Sequence, residues 1–549
     1  MAEHNLWAAA FPKLGEAQLA ELAKCPNTKL RHFQDGEFLF EAGERDYCFF
    51  IIKSGQVEIV DKTGDSPKTV VVHDPGEFTG EVAQLTGSPA LVSAVARGEC
   101  EVFEISPEAL HQLLNRHLDL ADVILQAFIA RRQLLRESGE FVGLRVVGSR
   151  DSQDTFRVRD FLAKNRIPFT WIDLDSDPAV KQLLAQFQVS EKETPVVAWG
   201  TELLLRNPSN LQLAQALGLR RTLAKTVYDL IVVGGGPAGL AAAVYGASEG
   251  LRVAVLERVA PGGQAGRSMR IENYLGFPAG ISGSELAERA VVQANRFGAC
   301  LPVGTQVNSV AFNDGQMVLA IDGDESVRTK CLLIATGADY RLLSAEGCAQ
   351  FEGCGVYYAA TPLEAQMCHG SEVVVVGGGN SAGQAAMFLA SQVRKVYLIL
   401  RGDNLHKSMS SYLADRVEPT PNIEVMLYTE VKRMYGEGHL HEVELFNNKT
   451  GERRRLKVPA VFSFIGASPR TEWLPPEIEK DERGFVRTGP SLGQSSQWNY
   501  RRQPFLLEAS RPGVFAAGDV RSGSVKRVAS AVGEGSMVVQ FVHAVLAER

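Results

Sequence analysis

A strand that leads into three consecutive glycines and then into an apolar helix occurs twice in this chain of 549 residues. The first copy is YDLIVVGGGPAG, with its loop at 234–239, and the second is VVVVGGGNSA, with its loop at 377–382. Glycines in these positions allow a tight turn, a close approach of the backbone to a phosphate and close packing of helix on strand. The pattern predicts two doubly wound α/β regions, each with a candidate dinucleotide site.

The residues that follow each loop distinguish the two sites. Glu257 ends the strand RVAVLE after the first loop, where a carboxylate binds both ribose hydroxyls of a dinucleotide. The same spacing from Gly377 ends at Leu400, which is followed by Arg401 and shortly afterwards by Lys407. The missing carboxylate and the added cations favour a ribose 2′-phosphate, hence NADPH, at the second loop. A solvated loop face is the alternative reading of these cations.

Seven motifs in order make residues 226–549 resemble the low-molecular-weight thioredoxin reductase family of FAD-dependent pyridine nucleotide oxidoreductases. They are GGGPAG at 234–239, PGGQ at 261–264, ENYLGFP at 272–278, IATGA at 334–338, GGGNSA at 377–382, GVFAAGD at 513–519 and KRVASAVGEG at 526–535. The resemblance implies an FAD-binding domain at 226–345 and 490–549, with an NAD(P)H-binding domain at 346–470 inserted into it. A homodimer is the usual state of this family.

The resemblance and the loop patterns together assign cofactor residues. The residues expected at FAD are Gly234, Gly236, Pro237, Ala238, Gly239, Glu257, Gly263, Gln264, Asn273, Gly337, Gly518, Asp519, Arg527 and Val528. The residues expected at NADPH are Gly377, Gly379, Asn380, Ser381, Ala382, Arg401 and Lys407. FAD and NADPH are therefore the expected cofactors, and the sequence predicts no metal site, since no cysteine pair has zinc-ligand spacing.

In the resembling family, the segment before the second glycine loop carries a CATC dithiol at the flavin. Here GVYYAATPLEA places Ala359 and Pro362 at the two cysteine positions. Thiol-disulfide exchange needs one thiolate to attack and a second thiol to resolve the mixed disulfide, so no catalytic residue is assigned. Cys348 and Cys354 are nearby in sequence and leave open a thiol reductase with non-standard cysteines.

The sequence predicts an enzyme that passes electrons from NADPH through FAD to an acceptor that it does not identify. A ferredoxin or flavodoxin, a quinone, a small-molecule oxidant and oxygen all remain open. The alternative from another functional class is a redox-sensing scaffold with little turnover, because expected site residues are missing in three places along the chain.

The first of the N-terminal regions has the pattern of a small antiparallel roll, with short β-branched and aromatic runs between Gly, Asp and Pro turns over residues 30–105. The runs FEAGERDYCFFIIKSGQVEI and FTGEVAQLTGSPALVSAVA make it resemble a cyclic-nucleotide-binding domain, which with its flanking helices spans 1–140. The resemblance implies that Gly80 and Glu81 contact the ribose of a ligand. Ala90 replaces the arginine that would bind the cyclic phosphate.

That replacement leaves three roles open for the roll. Loss of one partner of a buried charge pair weakens binding by about 2–5 kcal/mol. Retained cyclic-nucleotide binding, another nucleotide-like ligand, and a structural or partner-docking role all remain, and each could regulate the flavin. No helix-turn-helix is evident after the roll.

Residues 142–221 alternate strands and helices in a short α/β unit that resembles a glutaredoxin or thioredoxin fold. Ser149 and Ser152 occupy the turn where that fold carries CxxC, and we interpret them as turn or helix-capping residues. Thr194 and Pro195 match the cis-proline position of the fold. The unit is therefore predicted to keep the fold without redox cysteines.

Composition limits the remaining partners. Lys and Arg total 57 against 64 Asp and Glu, a net charge of −7, so nucleic acid is not expected as a partner. No run reaches the roughly 18 uninterrupted apolar residues that would predict a membrane span. The start of the chain is too polar for a signal peptide, so we expect a cytoplasmic protein.

Overall fold

The structure is a computed structural model, and it describes residues 7–22, 28–44, 47–62, 67–80, 90, 92–137, 144–175, 180, 184, 189–199, 203–313, 315–322, 325–493, 498 and 500–548. The predicted antiparallel roll and the predicted parallel α/β sheets are both present.

The roll is a six-stranded antiparallel sheet whose two long strands pair at its centre. Its strands are β1 (Thr28–Phe33), β2 (Phe38–Phe40), β3 (Phe49–Asp61), β4 (Lys68–His73), β5 (Phe78–Thr79) and β6 (Ser93–Ile105). The helices beside it are α1 (Glu16–Leu22), α2 (Pro107–Arg116) and α3 (Leu118–Glu137). Ser106 caps α2 by accepting from the Ala109 amide, and Pro107 occupies the first turn. The helices share a core with the roll through Phe49, Leu114 and Phe128.

The α/β unit that follows has a four-stranded sheet in the order β10-β9-β7-β8. Its elements are β7 (Leu144–Gly148), α4 (Gln153–Lys164), β8 (Phe169–Asp173), a 3₁₀ helix (Glu191–Glu193), β9 (Val196–Trp199), β10 (Leu203–Arg206) and α5 (Asn210–Ala216). β7 and β8 are parallel, whereas β9 runs antiparallel to β7. Ser152 caps α4 by accepting from the Thr155 amide, as predicted, and the peptide between Thr194 and Pro195 is cis.

The outer domain is a six-stranded sheet that the chain leaves after its third parallel strand and rejoins near the C-terminus. Its strands are β11 (Tyr228–Val233), β12 (Val253–Leu256), β13 (Val307–Asn313), β14 (Gln316–Ile321), β15 (Ser326–Ile334) and β26 (Val514–Ala516). Its helices are α6 (Pro237–Ser248), α7 (Gly283–Arg296) and α11 (Val528–Ala547), with 3₁₀ turns at Ala265–Arg267, Gly489–Leu492 and Gly518–Val520. β26 pairs in parallel with β15, so the second domain is an insertion between these two strands.

The inserted domain has a five-stranded parallel sheet in the order β17-β24-β18-β19-β20, covered by a three-stranded antiparallel sheet. Two short strands, β16 (Ala338–Tyr340) and β25 (Ala467–Pro469), pair where the chain enters and leaves it. The other strands are β17 (Val356–Tyr357), β18 (Glu372–Val376), β19 (Lys395–Ile399), β20 (Ile423–Met426), β21 (Thr429–Tyr435), β22 (Glu442–Asn447), β23 (Arg453–Lys457) and β24 (Val461–Ser463). Its helices are α8 (Pro362–Met367), α9 (Asn380–Ala390) and α10 (Ser411–Val417), with 3₁₀ turns at Cys348–Phe351 and Leu405–Lys407.

Within the described ranges, α11 is the helix whose length and mean hydropathy of 1.3 would allow it to cross a membrane. It instead packs on α6 in the core of the outer domain, where Val538, Val539 and Val542 are buried. In this packing, 33% of the apolar window of α11 is buried.

Candidate functional site

The first glycine loop connects β11 to α6 in a conformation that requires glycine at two positions. Gly234 has φ +107°, and a Cβ there would lie 2.7 Å from the Ala335 carbonyl carbon. A Cβ at Gly239 would overlap the carbonyl oxygen of Gly234, so α6 approaches its strand closely only because this residue has no side chain. Gly236 faces open space and forms no side-chain cap. The free amides at the N-terminus of α6 therefore face a cavity that can accept a phosphate.

Glu257, at the end of β12, is fixed beside this loop by backbone amides. Its Oε2 atom accepts from the Gly235 amide at 2.7 Å and its Oε1 atom from the Val259 amide at 2.8 Å. The Oε1 atom also accepts from the Ala260 amide at 3.2 Å, so it is the Oε2 atom that keeps a lone pair for a hydroxyl. The arrangement suits a ribose whose two hydroxyls meet one immobile carboxylate.

Glu257 and the loop open into a cleft of about 1290 Å³. Twelve of the fourteen residues expected at FAD line it: Gly234, Gly236, Pro237, Ala238, Glu257, Gly263, Gln264, Gly337, Gly518, Asp519, Arg527 and Val528. Gly239 is buried behind the loop instead. Asn273 is exposed outside the cleft, next to Glu272, which pairs with Arg416 of the inserted domain at 2.9 Å.

Two features inside the cleft test whether a flavin dinucleotide fits. Gln264 donates its Nε2 to the Ala338 carbonyl at 2.9 Å, while its Oε1 atom is buried without a hydrogen-bond partner. A buried acceptor of this kind is costly unless a ligand supplies a donor, and a flavin ring carries one. At Gly337, with φ +65°, no atom lies within 4 Å of the position of a Cβ. The residues present therefore fit FAD.

The far wall of the cleft comes from the last motifs of the chain. Burial raises the pKa of the Asp519 carboxyl above its usual range, and Lys526 partly opposes this shift. Lys526 also donates to the Asp519 carbonyl at 2.7 Å. Arg527 is the N-cap residue of α11 and Val528 its first residue. Three motifs distant in sequence thus meet around one cavity.

The second glycine loop opens into the same cleft. Gly377 has φ +141°, and a Cβ there would lie 2.7 Å from the Phe464 carbonyl oxygen. Gly379, Asn380 and Ser381 line the cleft, and Ser381 Oγ accepts from Tyr340 Oη at 3.2 Å. The structure therefore brings both predicted dinucleotide loops to one cavity.

The remaining residues expected at NADPH lie away from the cavity. Ala382 is buried in the core of the inserted domain, and Gly377 turns the loop behind it. Arg401 and Lys407 are exposed on the segment after β19. Lys407 pairs with Asp403 at 2.7 Å, which raises the pKa of the lysine and offsets its charge. Arg401 is therefore the better candidate of the two for a 2′-phosphate.

Ala359 and Pro362, which the family resemblance would align with a dithiol, lie just before and at the start of α8. Ala359 is 5% exposed and lines a small pocket with Gln264 and Ser381, between the two glycine loops. Pro362 is the first residue of α8. This segment thus offers two alkyl groups where the family has sulfur.

Cys348 and Cys354 are free, buried thiols in the inserted domain that do not line the cleft. Burial raises the pKa of both thiols, so neither resembles an activated nucleophile. Among the residues that the structure describes, no group of three or more His, Cys, Asp or Glu side chains could hold a metal ion.

In the roll, Ala90 is 1% exposed and packs in a core with Phe40, Tyr47 and Phe50. Gly80 has φ +90° and approaches the Cys48 carbonyl closely. Glu81 and Pro89 lie outside the described residues. The position expected to bind a phosphate is thus part of an apolar core.

The cleft also contains residues that the sequence analysis missed. In the reductase region these are Arg258, Tyr340, Phe464, Arg470 and Lys526, and from the α/β unit they are Arg157, Asp160, Lys164 and Asn210. Arg258 could have been predicted to line the cleft, because it directly follows Glu257 in the sequence. The residues of the α/β unit gave no such signal, because only the docking of two domains brings them to the cavity.

Comparison with known proteins gives two matched ranges. Residues 228–535 match the family described as pyridine nucleotide-disulphide oxidoreductase, and residues 30–117 match the cyclic nucleotide-binding domain. The α/β unit lies between these ranges.

Thioredoxin reductases are among the matched relatives. That of Treponema pallidum (strain Nichols) is 35% identical over 313 residues, which cover 57% of this chain and 95% of that protein. That of Bacillus subtilis (strain 168) is 31% identical over 317 residues, or 58% and 94% of the two chains. The crystal structure of Lactococcus lactis thioredoxin reductase in its FR conformation covers 59% of this chain and all of its own, with a TM-score of 0.53 and 27% identity.

Proposed function

The chain belongs to the pyridine nucleotide-disulphide oxidoreductase family, and we propose that it passes electrons from NADPH through FAD to an acceptor other than a thioredoxin disulfide. The chain is a thioredoxin-reductase-like flavoprotein oxidoreductase with FAD and NADPH as cofactors, and it carries a cyclic nucleotide-binding domain. The single observation that carries the proposal is the opening of both glycine loops into one cleft.

When bound, FAD accepts a hydride from the nicotinamide and releases its electrons to a second substrate. The residues of this chain hold and orient the two dinucleotides. The N-terminus of α6 and Glu257 bind the diphosphate and ribose of the first, and the N-terminus of α9 binds the second. Tyr340 stays protonated near neutral pH because burial raises its pKa, and its hydroxyl holds the second loop through Ser381.

The choice of acceptor follows from the positions of Ala359 and Pro362. A reductase of disulfides needs two thiols beside the flavin, and methyl and pyrrolidine groups can neither attack nor resolve a disulfide. An acceptor would therefore have to reach the cleft itself, since Ala359 and Pro362 offer no thiol to relay electrons. Ferredoxin or flavodoxin, quinones, small oxidants and oxygen are the acceptor classes to test.

A role for the roll in regulation is supported by its contact with the outer domain. Arg296 of α7 donates to the Leu114 carbonyl of α2 at 3.0 Å, and Val292 of α7 packs in the core shared by roll and helices. The other end of α7 begins at Gly283, which has no room for a side chain against the Ala265 carbonyl, beside Gln264. One helix thus links the roll to the flavin side of the cleft.

Anaerobic mixing tests the proposal. The purified protein should be yellow, NADPH should bleach it, and one acceptor class should restore the colour over many turnovers. NADH serves as the matched control for the nicotinamide site, and oxidised thioredoxin for the disulfide route. A colourless protein that does not respond to pyridine nucleotides would refute the proposal, and turnover with thioredoxin alone would refute the choice of acceptor.

The second candidate, a redox-sensing scaffold, is favoured by the extent to which the N-terminal modules are docked on the outer domain. In that case the flavin is bleached once by NADPH and then stays reduced with every acceptor. A repeat of the same experiment with cyclic AMP and cyclic GMP shows whether the roll changes either rate. The homodimer expected for the family is tested on the same sample by sedimentation.

A further inference from the structure

Helix α4 of the α/β unit lies across both dinucleotide domains. At its C-terminal end, Asn165 donates to the Val259 carbonyl of the outer domain at 2.8 Å, and Arg166 donates to the Ser284 carbonyl. Toward its N-terminus, Phe156 packs on Tyr357 of the inserted domain with ring centroids 5.4 Å apart. The α/β unit is therefore docked on the reductase region and is not a tethered appendage.

The docked helix forms part of the cofactor cleft. Arg157, Asp160, Lys164 and Asn210 line the cavity that contains Gly236 and Glu257. These four residues lie outside both ranges that match known families, which end at 117 and begin again at 228. These four residues of the α/β unit therefore form one wall of the cleft, and that wall lies outside the ranges that match known families.

The wall lies beside one end of the cleft. Val259, which Asn165 contacts, is two residues beyond Glu257, and its amide binds that carboxylate. The backbone of Asn210 packs on Gly304, and the amide of the next residue, Thr305, donates to the Glu257 carbonyl at 2.9 Å. Glu257 marks the ribose of the dinucleotide, so Asn210 adjoins the adenosine end, whereas Lys164 lies nearer to Arg267 and the ring end at Gln264.

The charges on this wall suit an anion. Lys164 pairs with Asp160, is one-quarter exposed, and faces Arg267 of the outer domain, which lines the same cleft. Burial and the charge of Arg267 lower the pKa of the lysine. Arg267 Nε is buried without a hydrogen-bond partner. Two cations from two domains thus line the cleft with one carboxylate beside Lys164, and a diphosphate would offset the excess positive charge.

We propose that the α/β unit completes the FAD site, that Asn210 contacts the adenosine end of FAD and that Lys164 contacts its diphosphate. The inference rests on the proposed function, in which FAD occupies the first loop. Arg157 is a positioning residue, because it donates to the Pro208 carbonyl at 2.7 Å and to Asn207 Oδ1 at 2.9 Å, and so fixes the turn before Asn210. The loss of redox cysteines in this unit is then consistent with a new role as a cofactor-binding wall.

The test is titration of flavin-free protein with FAD and with FMN, which lacks the adenosine monophosphate half, followed by flavin fluorescence. Lys164→Ala should raise the Kd for FAD about ten-fold or more, the effect of one charge-assisted hydrogen bond. Lys192→Ala is the matched control, an exposed lysine of the same unit outside the cleft. Lys164→Arg should retain most of the FAD affinity, because it keeps the cation.

Removal of the lysine alone also leaves Asp160 facing the ligand. The double variant Asp160→Asn with Lys164→Gln removes this repulsion, and it should still bind FAD several-fold more weakly than the wild type. Asn210→Ala should give a smaller loss of FAD affinity and leave the Kd for FMN unchanged, because FMN lacks the adenosine end. Thermal unfolding of each flavin-free variant reports whether the unit remains folded.

Three results would overturn the inference: an unchanged Kd for FAD in Lys164→Ala, an equal loss for FAD and FMN in Asn210→Ala, or full FAD affinity in the double variant. Failure of the wild type to bind FAD at all would instead refute the proposed function. The two failures are therefore distinguishable in one set of titrations.

Discussion

The C-terminal and N-terminal halves of the chain differ in what occupies the positions where a ligand-binding residue is expected. In the C-terminal half, Gly236, Glu257 and Gln264 line an open cleft. In the N-terminal half, Ala90 is buried among aromatic rings and Ser152 caps a helix. Both halves keep continuous cores. A fold thus persists after its ligand contacts are replaced, because core residues and contact residues are different sets.

The largest effect is expected at Gly239, a buried residue directly behind the first glycine loop. A Cβ in Gly239→Ala would overlap the Gly234 carbonyl oxygen, and overpacking of this kind destabilises by about 1–3 kcal/mol. We expect the loop to shift and most of the bound FAD to be lost, as measured by flavin absorbance per protein after gel filtration. Gly533→Ala in α11 is the control, since no atom lies within 4 Å of its added Cβ. Equal flavin content in the two variants would contradict the role of close packing.

Glu257→Gln alters an expected contact with the ribose of FAD but leaves the hydrophobic core of the outer domain unchanged. The amide nitrogen cannot accept from backbone amides, so the variant loses a charge-assisted bond worth about 1.5–3 kcal/mol. The Kd for FAD should rise about 10- to 100-fold in a fluorescence titration. Glu285→Gln, which disturbs only an exposed pair with Arg289, serves as the control. If both variants bind FAD equally, Glu257 is not a ribose ligand.

Ala90→Arg attempts to restore the missing contact in the roll. Because Ala90 is enclosed in an apolar core, we expect a loss of about 1–3 kcal/mol in stability and no gain of cyclic-nucleotide affinity. Thermal unfolding and titration with cyclic AMP measure the two quantities. Val70→Arg, on an exposed position of β4, should change neither. A stable Ala90→Arg protein that binds cyclic AMP would contradict this difference between the two halves. A single arginine would then be enough to restore ligand binding to the roll.

Arg401→Ala tests the weaker of the two dinucleotide assignments. An exposed charge contact is worth about 1 kcal/mol, so the KM for NADPH should rise roughly five-fold while that for NADH stays the same. Lys407→Ala should have less effect, because Asp403 already offsets that charge. A wild-type protein that responds faster to NADH would remove the basis for this assignment.

The sequence was sufficient to predict those residues of the site that lie within one continuous segment of the chain. The turn at Gly234 and the acid at Glu257 follow from local spacing, and the parallel strands on either side follow from their continuous apolar runs. The sequence was insufficient where separate domains meet. Lys164 comes to the cleft because α4 docks through Asn165 and Phe156, and no periodicity within α4 encodes that docking.

The smallest effect is expected from the double variant Cys348→Ser with Cys354→Ser. Both thiols are buried outside the cleft, and burial raises the pKa of each, so neither supplies a thiolate near neutral pH. NADPH-dependent turnover should stay within about two-fold of the wild type, the range of substitutions that touch no functional group. Cys368→Ser is the control, a buried cysteine of the same domain whose pKa burial raises to about 12. Loss of disulfide reduction in the double variant, but not in Cys368→Ser, would show that electrons leave the flavin through sulfur. The C-terminal half would then keep a disulfide-reductase chemistry that Ala359 and Pro362 argue against.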